Sequence, residues 1–114
     1  MDALGRQRRR FPSILMKLQE LALAIKDDKL SKDQLEVYHS DLCGIKSQLH
    51  LELAELKKEK ALFMVRREPG DSVASRKEVW DATPRGQRKF EIEAYISSSK
   101  SLIDSIKSRL YSIY

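Results

Sequence analysis

The stretch IEAYISSSKSLIDSIKSRLYSI, residues 92–113, carries the most regular hydrophobic pattern of the chain. Its apolar residues recur alternately four and three positions apart, and only Ser99 among them is polar. This spacing places all of them on one side of an α-helix and is typical of a coiled-coil seam. The pattern therefore predicts a long helix with a stripe made of Ile92, Ile96, Ser99, Ile103, Ile106, Leu110 and Ile113.

A second long helix is predicted upstream. It begins at the sequence SKDQ, residues 31–34, which is a capping box in which Ser31 and Gln34 satisfy each other's backbone amides. Its apolar stripe is Leu35, Tyr38, Leu42, Ile45 and Leu49. The next position in this series is Glu52, so we expect the register to shift there, with Gly44 as a weak point, before the stripe resumes through Leu53, Leu56 and Phe63.

Proline, glycine and helix-capping residues set the other helix boundaries, so four helices are predicted in all. Pro69 and Gly70 end the second helix, and a short third helix is expected from about Ser72 to Asp81. Thr83 and Pro84 then form an N-cap and first helical position, so the last helix begins there. The first helix is expected to begin around Pro12 and to end near residues 26–29.

The predicted fold class is therefore all-α: a long, coiled-coil-like antiparallel helical hairpin, with an additional N-terminal helix and a short helix in the connector. Residues 1–11 form a flexible basic arm, and residues 12–114 form a single helical domain. A hairpin this thin is expected to leave apolar surface and to self-associate, with a closed monomeric bundle as the alternative. The residues expected to build the hairpin or oligomer seam are Leu42, Ile45, Leu49, Leu56, Ile92, Ile96, Ile103, Ile106, Leu110 and Ile113.

Composition limits the classes of function. The 114 residues carry a formal net charge of +5, which favours acidic partners such as nucleic acid. The single cysteine, Cys43, permits no internal disulfide and fits a reducing cytoplasm, which would be the host's if the chain is phage-encoded. No apolar run approaches the roughly 20 residues that cross a bilayer, so no membrane partner is expected.

Catalytic chemistry has little support in the sequence. His39 and His50 lie three helical turns apart, too far for joint metal ligation, and Cys43 is expected to be a small buried residue. The basic stretch TPRGQRK lacks the first glycine and the final hydroxyl of a phosphate-binding loop. We therefore expect a protein that is not an enzyme and holds no cofactor or metal.

Positive charge concentrates around the predicted hairpin bend. Residues 57–89 contain ten Lys or Arg and five Asp or Glu, a net charge of +5. The bend would bring these cations to one tip, where they would neutralise the phosphates of a single-stranded nucleic acid. The candidate residues are Lys57, Lys58, Lys60, Arg66, Arg67, Arg76, Lys77, Arg85, Arg88 and Lys89, together with Arg6, Arg8, Arg9 and Arg10 of the arm.

Trp80, the only tryptophan, lies within this cluster. It is a candidate nucleic-acid contact because an aromatic face stacks on bases. The alternative is that Trp80 packs the short helix onto the hairpin, since buried aromatics dominate small helical cores.

The layout of residues 35–114 resembles that of small phage recombination-mediator proteins of the UvsY kind. The segments that carry the resemblance are EKALFMVRR, residues 59–67, before the bend and SLIDSIKSRL, residues 101–110, in the closing helix. Those proteins are helical, form rings, bind single-stranded DNA and help to load a recombinase onto strands covered by single-strand-binding protein. The resemblance implies that Lys60, Arg66 and Arg67 contact DNA. The chain departs from it in the VWDATPRGQRK element and the RQRRR arm.

The leading hypothesis is a non-enzymatic, oligomeric accessory protein that binds single-stranded DNA or RNA, in the manner of a phage recombination mediator. Its protein partners would be further copies of itself, a recombinase, a single-strand-binding protein or another nucleic-acid-processing protein. The main alternative is a small helical protein-interaction module, such as an adaptor or a phage-encoded inhibitor of a host nucleic-acid-processing or defence complex. A third possibility is a small helical subunit of a ribonucleoprotein, which would contact phosphates only within that assembly.

Overall fold

A computed structural model describes residues 13–66, 70 and 72–113. Four α-helices follow one another: α1 (Ile14–Ile25), α2 (Lys32–Val65), α3 (Val73–Ala82) and α4 (Pro84–Ile113). The described residues form no β-strand. The predicted all-α hairpin is confirmed, because the long helices α2 and α4 pack against each other along their lengths. The predicted basic arm, residues 1–11, lies outside the described residues.

Side-chain caps fix where the helices begin. Ser31 and Gln34 form the predicted capping box at the start of α2, with bonds of 3.2 and 2.9 Å. At α4, the Thr83 hydroxyl accepts from the Gly86 amide at 3.0 Å. At α1, Ser13 accepts from the Met16 amide, so this helix begins at Ile14. The predicted start around Pro12 is therefore slightly early, because a serine cap rather than a proline sets the boundary.

The core of the hairpin is a heptad seam that keeps one register. Leu35, Leu42, Leu49 and Leu56 recur every seven residues of α2 and are completely buried. They pack with Ile92, Ile103 and Ile106 of α4, and the Ser99 hydroxyl, also buried, donates to the Tyr95 carbonyl at 2.8 Å. The predicted register shift at Glu52 is wrong, since the buried leucines continue past it and α2 runs unbroken through Gly44.

Helix α1 covers one side of the hairpin over its half distant from the bend. Leu18, Leu21 and Ile25 are buried in the cluster that contains Leu35 and Ile106. The Arg109 guanidinium donates to the carbonyls of Ile25 and Asp27 and so caps the C-terminal end of α1. A cation at this end also complements the helix dipole. These contacts fix α1 on the hairpin.

Helix α3 closes the end of the hairpin near the bend. Trp80 is buried, and its ring lies 5.5 Å from that of Phe63, centroid to centroid. The turn from α3 to α4 is tight: a Cβ atom on Gly86 would lie 2.0 Å from the Trp80 carbonyl oxygen. Glycine is therefore required at residue 86 for the two backbones to approach this closely.

Candidate nucleic-acid interface

Two arginines that were predicted to contact phosphates are held by carboxylates of α2. Arg85 binds Glu59 in a bidentate pair, with distances of 2.8 Å from Nε to Oε2 and 3.0 Å from Nη2 to Oε1. Arg88 binds Glu52 with Nη2 to Oε2 at 3.1 Å, and its Nη1 lies 3.1 Å from Glu91 Oε2. Glu52 and Glu59 continue the heptad series of Tyr38 and Ile45 along α2, in the part of the hairpin that α1 does not cover. Ion pairs replace the apolar contacts there. They explain why Glu52 does not shift the register.

The ion pairs also change the acidity of their members. Hydrogen bonding by Arg85 lowers the pKa of Glu59 below its ordinary value of 4.5 and outweighs the opposing effect of desolvation. The pKa of Arg85 rises through the same bond. Burial disfavours the charged form of Arg88, but its bonds to Glu52 and Glu91 outweigh this effect and raise its pKa. The charges of both arginines are therefore paired with carboxylates, and these pairs stabilise the packing of α4 on α2.

Two further residues predicted to contact nucleic acid, Arg76 and Trp80, instead make contacts within the end of the hairpin near the bend. Arg76 donates from Nε to the Phe63 carbonyl at 3.1 Å, and its guanidinium carbon lies 3.6 Å from the centre of the Phe63 ring. Trp80 is only 4% exposed. Its ring therefore offers no face to a base, and the proposed stacking role is corrected to packing of α3 against α2. Residue Arg67 lies outside the described residues, as do the arginines of the arm.

The predicted cations that stay accessible point to different sides of the molecule. Positions three residues after each buried leucine of α2 lie on the side of α1, as Tyr38 and Ile45 do. Positions four residues after it lie on the opposite side, and Lys60 is one of them. Lys57 flanks that side, whereas Lys58 points away from the core, and Arg66 and Lys77 are exposed near the bend. The predicted tip cluster is therefore not one surface.

Six lysines do lie on the side of the hairpin opposite α1, and we call this surface the lysine face. Helix α4 contributes to it through Lys89, one heptad before Ile96, and through the positions that follow Ser99 and Ile106. Two acidic residues, Glu36 and Glu93, lie within this surface, and Glu93 pairs with Lys89 at 3.2 Å. The lysine face consists of Lys46, Lys57, Lys60, Lys89, Lys100 and Lys107.

An aromatic side chain lies at the end of the lysine face distant from the bend. Tyr111 is 83% exposed and lines a depression of about 250 Å³ together with Glu36, His39, Lys107 and Leu110. An exposed aromatic ring beside a basic surface is the combination that binds single-stranded nucleic acid. Tyr111 thus offers a stacking surface, which the buried Trp80 does not.

Sequence reasoning missed three members of the lysine face, Lys46, Lys100 and Lys107, and also Tyr111. The prediction counted charge within the segment 57–89, whereas the surface is organised by heptad position over both long helices. The sequence does contain a signal for this surface, because Lys57, Lys100 and Lys107 each follow a buried seam residue by one position.

The opposite side of the hairpin has different chemistry. A groove of about 630 Å³ lies between α1 and α4, and its walls are mainly apolar or small. Leu15, Leu18 and Ala22 of α1 face Tyr95 and Leu102 of α4 across it. The hairpin therefore has one basic side and one side with an open apolar groove.

The described residues contain no group of three or more possible metal ligands. Cys43 is exposed, contrary to the expectation of burial, and its Sγ lies 3.8 Å from Nδ1 of His39, one turn earlier in α2. Two such groups without a third ligand do not define a metal site. Within the described part of the chain, no helix is long and apolar enough to span a membrane.

Comparisons of the chain with protein-family models, with curated proteins and with solved structures found no match.

Proposed function

We propose that this chain is a non-enzymatic protein that binds single-stranded nucleic acid along the lysine face. The observation that carries the proposal is the arrangement of six lysines on one uncovered side of the hairpin, with Tyr111 at its end. Lys60 and Lys46 are 14 residues apart in one helix, so the face extends at least about 21 Å. A track of this length binds several successive phosphates.

The single-stranded form is favoured by the chemistry of the face. Phosphate contacts alone do not distinguish strands from duplexes, but an exposed aromatic ring stacks only on a base that has left the duplex. Recombination mediation, which the sequence resemblance implies, is a narrower version of the same proposal, because a mediator must first hold the single strand.

The test is fluorescence anisotropy of a labelled oligothymidylate titrated with the protein over a series of salt concentrations. If the five lysines other than Lys89, which pairs with Glu93, neutralise phosphates, log K should fall with log salt with a slope of about −3.5, from about −0.7 per contact on a single strand. Changing Lys46, Lys100 and Lys107 to Gln should reduce the slope by about 2. Tyr111→Ala should weaken single-strand binding by about 1–3 kcal/mol without altering the slope.

The matched control changes Lys26, Lys29 and Lys77 to Gln, which removes three exposed lysines outside the lysine face. This variant should bind almost as the parent does. If it loses as much affinity as the lysine-face variant, nonspecific net charge is responsible and the assigned surface is wrong. If the parent binds no oligonucleotide, the proposal fails, and the apolar groove between α1 and α4 then favours a protein-interaction module.

A further inference from the structure

The face of α2 that points directly away from the core repeats a second heptad pattern. Four of its positions recur every seven residues, at Val37, Gly44, Leu51 and Lys58. The residues three positions after each of these are small: Ser40, Ser47, Ala54 and Ala61. All eight residues are exposed, and the side chains of Val37 and Leu51 are 57% and 70% accessible. We call this surface the outer face.

The composition of the outer face is unusual for a solvated helix surface. Only Lys58 among the eight residues is charged, whereas exposed helix faces are ordinarily rich in charge. Gly44 lies inside a 34-residue helix, where glycine lowers helix stability by about 1 kcal/mol relative to alanine. Nothing in the described chain lies within 4 Å of the place where its Cβ would be. Packing within the chain therefore does not require this glycine.

The residues predicted to form a hairpin or oligomer seam form the hairpin seam and do not supply such a surface. Leu42, Leu49, Leu56, Ile92 and Ile106 are buried between α2 and α4 of one chain. Any association of copies has to use another face of the hairpin.

We propose that the outer face is the contact between two copies of this chain, with their α2 helices packed antiparallel. When Ser47 lies opposite Leu51 of the second copy, Gly44 lies opposite Ala54 and Val37 opposite Ala61. Leu51, Val37 and Lys58 each then meet a small residue, and the two small residues Gly44 and Ala54 let the helix backbones approach closely. In-register parallel packing would instead place Lys58 against Lys58 and leave a gap between the two Gly44 residues.

Charge complementarity selects the same antiparallel alignment. It places Lys58 opposite Ser40, beside Asp41 of the second copy. Neither Asp41 nor Lys58 forms an ion pair with another described residue of its own chain. Because a twofold contact repeats every interaction, two such pairs form at once. The contact involves residues 37–61, about 36 Å of helix.

The experiment is size-exclusion chromatography with light scattering on the full chain, without nucleic acid, over a range of protein concentrations. The parent should change from monomer to dimer as its concentration rises. Lys58→Glu should raise the dimer Kd about tenfold, since it replaces two attractive pairs with repulsive ones. Adding Asp41→Lys to the same chain should restore the Kd to nearly the parent value, because the pair is then reversed.

Gly44→Arg provides a second variant that cannot fail by unfolding the monomer, since its side chain enters open space and arginine favours helix. It should be monomeric with unchanged helical circular dichroism. Lys107→Glu, on the lysine face, is the matched charge control and should dimerise as the parent does. A parent that stays monomeric at about 100 μM overturns the proposal, and so does a dimer that Gly44→Arg leaves intact. Neither result depends on nucleic-acid binding.

Discussion

Two glycines in long helices have opposite structural roles at the scale of single residues. Gly86 lies where the backbones of α3 and α4 nearly touch, so a methyl group there would overlap the Trp80 carbonyl. Gly44 lies in open space on α2. The sequence alone does not distinguish these roles: glycine is required at residue 86 and replaceable at residue 44.

We expect Gly86→Ala to lower the free energy of unfolding by roughly 1–3 kcal/mol, because the backbone at the turn must shift to relieve the overlap. Gly44→Ala is the matched control and should raise that free energy by about 0.5–1 kcal/mol through helix propensity. Urea denaturation at dilute protein concentration, followed by circular dichroism, measures both. Equal effects of the same sign would contradict the tight turn.

The pair of Glu59 and Arg85 predicts a dependence of stability on pH. The pKa of Glu59 is lowered in the folded state, so its contribution is fully present above the ordinary pKa of 4.5 and is lost as pH falls through the folded pKa. Melting temperatures measured from pH 7 down to pH 3 should therefore fall less steeply for Glu59→Gln than for the parent. Glu55→Gln, an exposed glutamate one turn earlier, is the control and should keep the parent's slope.

At the scale of elements, the packing of α3 determines whether Trp80 is buried in the core or is available to contact a base. Because Trp80 is buried against Phe63, its fluorescence should have the short-wavelength emission of a shielded indole. Saturating amounts of single-stranded oligonucleotide should leave this emission unquenched, while Tyr111→Ala should change the affinity. Strong quenching on binding, with no change in helical content, would show that the ring contacts bases and would contradict the buried position.

Helix boundaries could be predicted from the sequence because the signals are local. The box formed by Ser31 and Gln34 lies within four residues, and Thr83 with Pro84 marks a start in two. Partners of charged residues could not be predicted in this way. Glu52 looked like a break in the stripe because its partner, Arg88, lies 36 residues later in the sequence. The burial of Trp80 likewise depends on how α3 packs on the hairpin.

The molecule as a whole is elongated. Its radius of gyration is 18.7 Å, against about 13 Å expected for a compact domain of this length. A long, thin shape gives much surface for little core, so each side of the hairpin is free to have its own chemistry. The sequence predicted that the candidate site is basic but not where it lies on the molecule. Local charge density does not reveal which sides of the two long helices face the same way.

The ion pairs of Arg85 and Arg88 have a consequence for how the chain finds its fold. An apolar seam that repeats every seven residues tolerates sliding: if α4 slipped one heptad along α2, leucine would again meet isoleucine. Because Glu52 and Glu59 lie one heptad apart, the same slip would re-form only one of the two pairs and leave one arginine and one glutamate without a partner across the seam. Alignments that hydrophobic contact alone leaves nearly equal in energy are thereby separated. The charges at one end of the hairpin select a single alignment for its whole length.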